Sequence, residues 1–322
     1  MASNESYSVA GKTAIITGAG SGINFEFAVL LLSEKCNVVI ADLVLRPESE
    51  ALLKKYSNKD SSPRAVFVKT DVTKWSELER MFQTTLDEFG SFDIVCPGAG
   101  IYEPHWTNFW HPPGSPASRD KPNSDGYALL DINLTHPIRV TQMAISEWLH
   151  PRSSSELQTI EKLKSNPKRI VHISSIAGQV PSFNAPIYVV TKFGISGLVR
   201  SIAHLEEAVG VRVNAVAPGV VRTPLWTEHP EKLRLLKTSQ DGWVTPEEVA
   251  KAMLRLVTDP KLGGGTIFEV GKDCTRLVQA FNDPGPATDP ALGLIASNAD
   301  QGKADIQGWL LDGKIWGSRS KL

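Results

Sequence analysis

Three residue types at fixed spacing carry the chemistry in this chain. Tyr188 and Lys192 stand four apart in Tyr-Val-Val-Thr-Lys, which places both on one face of a helix. Ser175 lies thirteen residues upstream of Tyr188, just past the apolar run Arg-Ile-Val-His-Ile. An unperturbed phenol titrates at about pH 10, too high for a base near neutrality. A neighbouring ammonium favours the phenolate, which can take a proton from a hydroxyl and, once protonated, return it to a carbonyl oxygen. The serine hydroxyl can hold that same oxygen. A Tyr-x-x-x-Lys pair alone is common on helix surfaces, so the reading needs a second feature.

That feature is Thr17-Gly18-Ala19-Gly20-Ser21-Gly22, which follows a β-branched run and opens a helical pattern. Glycines there let the backbone turn tightly and approach a pyrophosphate at the helix N-terminus. Asp42 follows Gly22 by twenty residues, at the end of the second predicted strand. A carboxylate in that position hydrogen-bonds an adenosine ribose and repels a 2′-phosphate. The cofactor predicted is therefore NAD. Arg46 is the one nearby cation that could accommodate the phosphate of NADP. A cationic nicotinamide would further favour the Tyr188 phenolate.

These groups need a scaffold, and the hydrophobic pattern supplies one. Residues 13–17, 38–41, 65–69, 92–96, 169–173, 212–217 and 266–270 read as short buried parallel strands. Helical patterns lie between them, at 23–33, 74–89, 127–149 and 185–209. The alternation predicts an α/β fold, a doubly wound parallel sheet of Rossmann type. We expect a single dinucleotide-binding catalytic domain over residues 8–281 and an irregular C-terminal extension over 282–322. Three stretches break the alternation: 102–126, 150–168 and the extension. The first carries Trp106, Phe109 and Trp110, which serve either as loop anchors or as a substrate surface.

Composition narrows the partners. With 34 Lys+Arg against 35 Asp+Glu in 322 residues, the net charge of −1 speaks against a nucleic-acid binder. Apolar residues at 41% and charged residues at 21% fit a globular chain. Cys36, Cys96 and Cys274 are far apart and read as small buried residues rather than disulfide partners or metal ligands. His105 and His111 lack carboxylate or thiolate partners at ligand spacing, so no metal is expected. His172 reads as a packed histidine within a strand. The N-terminal stretch lacks a secretory pattern, and the apolar run 27–32 is too short to span a bilayer. The expected setting is peroxisomal, from the tripeptide Ser320-Lys321-Leu322, or otherwise cytoplasmic.

With these residues in place, the chain resembles the short-chain dehydrogenase/reductase family over roughly residues 8 to 275. Thr17, Gly18 and Gly22 match its glycine motif, and Asp71-Val72 its adenine-contacting pair. Gly98-Ala99-Gly100 falls at its Asn-Asn-Ala-Gly element. Asn133, Ser175, Tyr188 and Lys192 match its catalytic residues. Pro218, Gly219 and Thr223 match the stretch that holds the nicotinamide, and the resemblance implies flanking cofactor contacts at Gly20, Ser21, Ile23, Leu43 and Val221. The resemblance implies that Lys192 also bonds the nicotinamide ribose and that Asn133 supports a water relaying protons to Lys192. It implies a homodimer or homotetramer built through long helices. Within the family the chain is similar to the NAD-dependent 15-hydroxyprostaglandin-dehydrogenase-like branch and to fungal polyketide-alcohol dehydrogenases. The expected reaction moves a hydride between a hydrophobic secondary alcohol or ketone and NAD. A non-turning-over dinucleotide-binding regulator and an NADP-dependent ketoreductase are the alternatives. Two departures stand out. Asn24 replaces the third glycine and could cap the helix start. Pro97 precedes Gly98 and cannot donate a backbone hydrogen bond, so the wall beside the cofactor needs another source of support.

Overall fold

The computed structural model describes residues 6–152, 160–237, 239–280, 288–294, 297–298, 301–302 and 304–305. The tripeptide Ser320-Lys321-Leu322 and most of the expected extension lie outside the described residues. Seven parallel strands follow the predicted alternation: β1 (Thr13–Thr17), β2 (Asn37–Asp42), β3 (Ala65–Lys69), β4 (Ile94–Pro97), β5 (Lys168–Ile173), β6 (Val211–Pro218) and β7 (Ile267–Gly271). An eighth strand, β8 (Cys274–Leu277), runs antiparallel to β7 at the sheet edge, and the pattern did not predict it. Only alternate residues of β8 are partly covered, so it lacks the continuous apolar run of a central strand. The order is β3-β2-β1-β4-β5-β6-β7-β8. The direction of winding reverses between β1 and β4, which opens a crevice at their carboxyl ends.

Helices cover both faces because β1 is buried at every position. Ala14 and Ile16 pack under α1 (Gly22–Ser33), with Phe27 and Leu31 fully buried against them. Ile15 points the other way, into the core beneath α3 (Trp75–Phe89), through Leu78, Met81 and Phe82. Between these two helices, α2 (Pro47–Lys55) follows β2. On the α3 side the layer continues with α4 (His136–Leu149) and α5 (Pro186–Ser201). On the α1 side, α6 (Pro246–Thr258) completes it and starts from a Thr245–Glu248 capping box.

The long helices differ from expectation in instructive places. The 127–149 segment is interrupted by a π turn, Asp131–Thr135, before α4. Pro137 has no N–H to give the carbonyl of Asn133 four residues back, and the His136 N–H reaches back five residues to Asp131. The 185–209 segment ends at Ser201, and a separate turn, Leu205–Val209, closes on Gly210 in the left-handed region. Within 150–168, a short helix spans Ile160–Ser165. Residues 288–294 fold back onto the sheet end, where Val220 N–H donates to the Gly293 carbonyl at 2.6 Å and Leu294 is fully buried. Cys36 and Cys96 are buried and unpaired, and Cys274 is half-buried. Among the described residues, no helix is long and apolar enough to cross a membrane. Phe27 is fully enclosed, so Phe27→Ala is expected to lower stability by about 3–5 kcal/mol in a denaturant titration.

Candidate active site

A cleft of about 360 Å³ opens at the carboxyl ends of the central strands. Its first wall is the turn after β1. Gly18 takes φ +72°, and a Cβ there would stand 2.7 Å from the Cα of Ala99. A Cβ on Gly20 would stand 2.8 Å from Asp42 Oδ2, an atom that already accepts the Gly20 N–H at 2.8 Å. The Leu43 N–H donates to the other Asp42 oxygen at 2.7 Å. The carboxylate is thereby fixed against the glycine turn. Ser21 is the N-cap of α1 and makes no side-chain cap, so the helix start offers its backbone N–H groups to the cleft. Ser21, Gly22, Ile23, Asp42, Leu43, Asp71 and Val72 all line this end.

Asn24 does not cap the helix as its type suggested. It turns inward instead, where Cys96 Sγ donates to its Oδ1 at 3.8 Å. A Cβ on Gly98 would lie 2.6 Å from Asn24 Nδ2 and closer still to Oδ1. The Asn24 amide therefore fills the space that a side chain at position 98 would take. Pro97 stays in register opposite Thr17 as the last residue of β4, and the Ala99 N–H beyond it donates to Thr17 Oγ1 at 3.2 Å.

The other end of the cleft gathers Ser175, Tyr188 and Lys192. Ser175 follows β5; its Oγ accepts the Ala177 N–H at 3.1 Å and is hydrogen-bonded to the Tyr188 phenol. Tyr188 and Lys192 share a face of α5, with Lys192 Nζ 5.3 Å from the Tyr188 ring centroid. Lys192 donates to the Ile173 carbonyl at 2.8 Å. Desolvation pushes the Tyr188 phenol up to about 12, against the pull of the Ser175 hydrogen bond. Desolvation alone pushes the Lys192 amine down to about 8. Pro218, Gly219, Val221 and Thr223 form the far wall, and Gly98, Ala99 and Gly100 the floor. A Cβ on Gly219 would stand 2.9 Å from the Cα of Leu294, so the 288–294 segment braces that wall.

Three expected site residues stand behind the wall rather than on it. Both ends of the Asn133 amide are engaged by Ile101: Oδ1 accepts its N–H at 2.9 Å and Nδ2 donates to its carbonyl at 2.8 Å. Thr17 Oγ1 lies 3.1 Å from His136 Nε2. Burial pushes His136 down to about 4, so the ring is neutral; with Nδ1–H donated to the Ile132 carbonyl, Nε2 accepts the Thr17 hydroxyl. Gly20 faces Asp42 and does not line the cleft.

The sequence pattern missed the aromatic ring at Trp226. Trp226 lines the cleft. The Tyr102 ring packs edge-on to Tyr188 at 4.8 Å and lies 5.2 Å from Trp226. Tyr102 sits in an irregular segment and Trp226 in a four-residue helix, Pro224–Thr227, both too short or aperiodic for periodicity to read. Trp106, Phe109 and Trp110 do not line the cleft. Trp110 is a buried anchor, its indole N–H donating to the Phe183 carbonyl at 2.9 Å. His172 is buried beside Thr141, 3.1 Å from its hydroxyl. The His105 and His111 rings stack at 4.4 Å, and no group of three potential metal ligands stands together among the described residues.

Residues 12–234 match the short chain dehydrogenase family. The chain belongs to that family. It is 32% identical to cis-4-hydroxycyclohexanecarboxylate dehydrogenase of Sinomonas cyclohexanicum, over 77% of this chain and 90% of that one. It is 27% identical to the NAD(+) 15-hydroxyprostaglandin dehydrogenase of Rattus norvegicus, over 80% and 90%. In fold it is similar to 3-ketoacyl-(acyl-carrier-protein) reductase of Brucella melitensis complexed with NADH, with a TM-score of 0.61, 22% identity and coverage of 82% and 98%. For this short-chain dehydrogenase the Asn24–Gly98 contact makes a distinctive prediction. Gly98→Ala should cut nicotinamide-cofactor affinity and lower the melting temperature, and adding Asn24→Gly should recover much of both. Additive losses in the double variant, read by cofactor fluorescence and calorimetry, would show that the two positions do not share one space.

Proposed function

We propose that this chain is an NAD-dependent dehydrogenase that interconverts a hydrophobic secondary alcohol and its ketone. One observation carries the reading: a single cleft holds Asp42 and the glycine turn at one end and Ser175, Tyr188 and Lys192 at the other. The cradle fits a dinucleotide. Side chains at Gly18 and Gly20 would collide with backbone or with Asp42, and the α1 terminus is left without a side-chain cap. When bound, the nicotinamide supplies the hydride acceptor in the net reaction secondary alcohol + NAD⁺ → ketone + NADH + H⁺.

The chain's own residues manage the oxygen and its proton. Ser175 donates a hydrogen bond to the substrate oxygen and steadies charge developing there. Tyr188 accepts the hydroxyl proton during oxidation and donates one during reduction. Lys192 places a cation beside the phenol and favours its ionised form. With the Asn133 side chain spent on Ile101, Asn133 acts by fixing the π turn, and any water relay to Lys192 would use its backbone. Trp226, with Tyr102 packed against it, gives the substrate end an apolar face. The two dehydrogenases to which the chain is similar are likewise named for hydroxy compounds.

The preference for NAD is supported by the fate of Arg46. Its guanidinium is held by both oxygens of Glu228 at 2.6 and 2.7 Å and is not offered to a 2′-phosphate. Exposed Val190 and Phe193 on the outer face of α5 fit the expected homo-oligomer.

A panel of secondary alcohols and ketones, followed at the NADH absorbance, tests the reading. Tyr188→Phe should lower turnover by about 10²–10⁴-fold with NADH affinity retained; undiminished turnover would remove the role of Tyr188. Oxidation should quicken from neutral to mildly alkaline pH, because Tyr188 must start deprotonated, while reduction slows; a flat oxidation profile with chemistry rate-limiting would count against a titrating base. Glu228→Gln should tighten NADPH binding more than NADH binding. Tighter NADPH than NADH binding by the unaltered chain would overturn the NAD preference.

A further inference from the structure

The helix that carries Tyr188 begins without a cap of its own. Its first residue is Pro186, its N-cap is Ala185, and no acidic residue stands in its first turn. Alanine has no oxygen to offer the exposed N–H groups, and a buried helix start left open is costly. The missing acceptor comes from far away in the chain. Glu103 Oε2 accepts the Tyr188 N–H at 2.8 Å and the same carboxylate also takes the Ile187 N–H. Its Oε1 accepts the Phe109 N–H at 3.0 Å. We propose that Glu103 is the positioning residue for Tyr188, a buried carboxylate that caps the α5 helix from the aromatic loop and sets where the phenol stands.

Several independent features point the same way. Glu103 is 5% exposed, a rare place for a carboxylate, and backbone N–H groups supply its hydrogen bonds. Burial pushes its carboxyl up to about 7 against the pull of those bonds. Its backbone sits at φ +27°, a region that non-glycine residues seldom adopt and that persists only where surrounding contacts impose it. Asn108 Nδ2 clamps the Glu103 carbonyl at 2.9 Å. The loop adds a second strut, from the Trp110 indole to the Phe183 carbonyl just before the helix. The acidic side chain also meets the positive end of the helix dipole. Every contact uses the carboxylate as an acceptor on both oxygens. A glutamine of the same size has one acceptor and one NH₂ group, so it must turn a donor toward a backbone N–H.

The proposal rests on the reading of Tyr188 as the acid–base group, and its test separates the two. Glu103→Gln and Glu103→Ala would be compared with the unaltered chain for kcat and KM on the best alcohol of the panel, for NADH affinity, and for amide hydrogen exchange in residues 187–190. Expected is a graded fall in kcat, about tenfold for Gln and about a hundredfold for Ala, since displacements near 1 Å carry that order of cost. NADH affinity should stay within about twofold, and exchange should rise only at the helix start. Unchanged kcat, or a loss of NADH affinity and melting temperature in step with kcat, would overturn the positioning role. If the unaltered chain binds NADH but turns over no alcohol or ketone, the dehydrogenase reading falls. The exchange data then judge the cap alone: faster exchange at 187–190 supports it, and unchanged exchange overturns it.

Discussion

Close approach between backbone segments at the carboxyl ends of β1 and β4 underlies everything else at the cleft. These adjacent parallel strands send their connections to opposite faces of the sheet, so a crevice opens where they part. Its depth depends on how nearly the two following turns can touch. Gly18 lies where a single Cβ would meet the backbone of Ala99. Beside that contact, the Asn24 amide occupies the space over Gly98. A small residue and a polar one divide that volume between them, and the wall is held by an amide from the helix rather than by a side chain on the strand. Pro97 can stand in β4 because the polar links beside it run from Thr17 to the Ala99 N–H and from Asn24 to Cys96.

Desolvation sets the electrostatics at the far end. Tyr188 and Lys192 are each pushed toward the neutral form, the phenol upward and the amine downward. Opposite charges in one poorly solvated site attract more strongly than in water, so what burial costs each group singly is offset when both ionise together. The pair is thus poised to respond to further charge placed beside it. Ser175 biases the same balance through its hydrogen bond to the phenol.

Segments outside the regular alternation brace this core. The loop after Gly100 reaches the start of α5 through Glu103 and Trp110. The 288–294 segment backs the wall at Gly219 and Val220. Arg46 and Glu228 tie the Asp42 end of the cleft to the segment that carries Trp226. Each brace joins positions far apart in sequence, which lets irregular chain hold a site without forming regular structure.

The sequence by itself determined the sheet, its seven parallel strands in outline, and the spacings that bring Ser175, Tyr188 and Lys192 into one cleft with the glycine turn and Asp42. Apolar periodicity and turn residues are local signals, and the Tyr188–Lys192 and glycine spacings survive any detail of packing. It also carried the cause of the π turn in Pro137, although the turn was not read from it. Only the tertiary structure decided what each polar group touches. Asn24 turns into the sheet instead of capping α1, because a cavity over Gly98 lies within its reach. Asn133 spends its amide on Ile101, and Trp110 anchors the chain rather than lining the cleft. Glu103 finds the open start of α5 across 85 residues of chain. Hydrogen-bond partners and shared volume are properties of three-dimensional proximity, and no spacing along the chain encodes them.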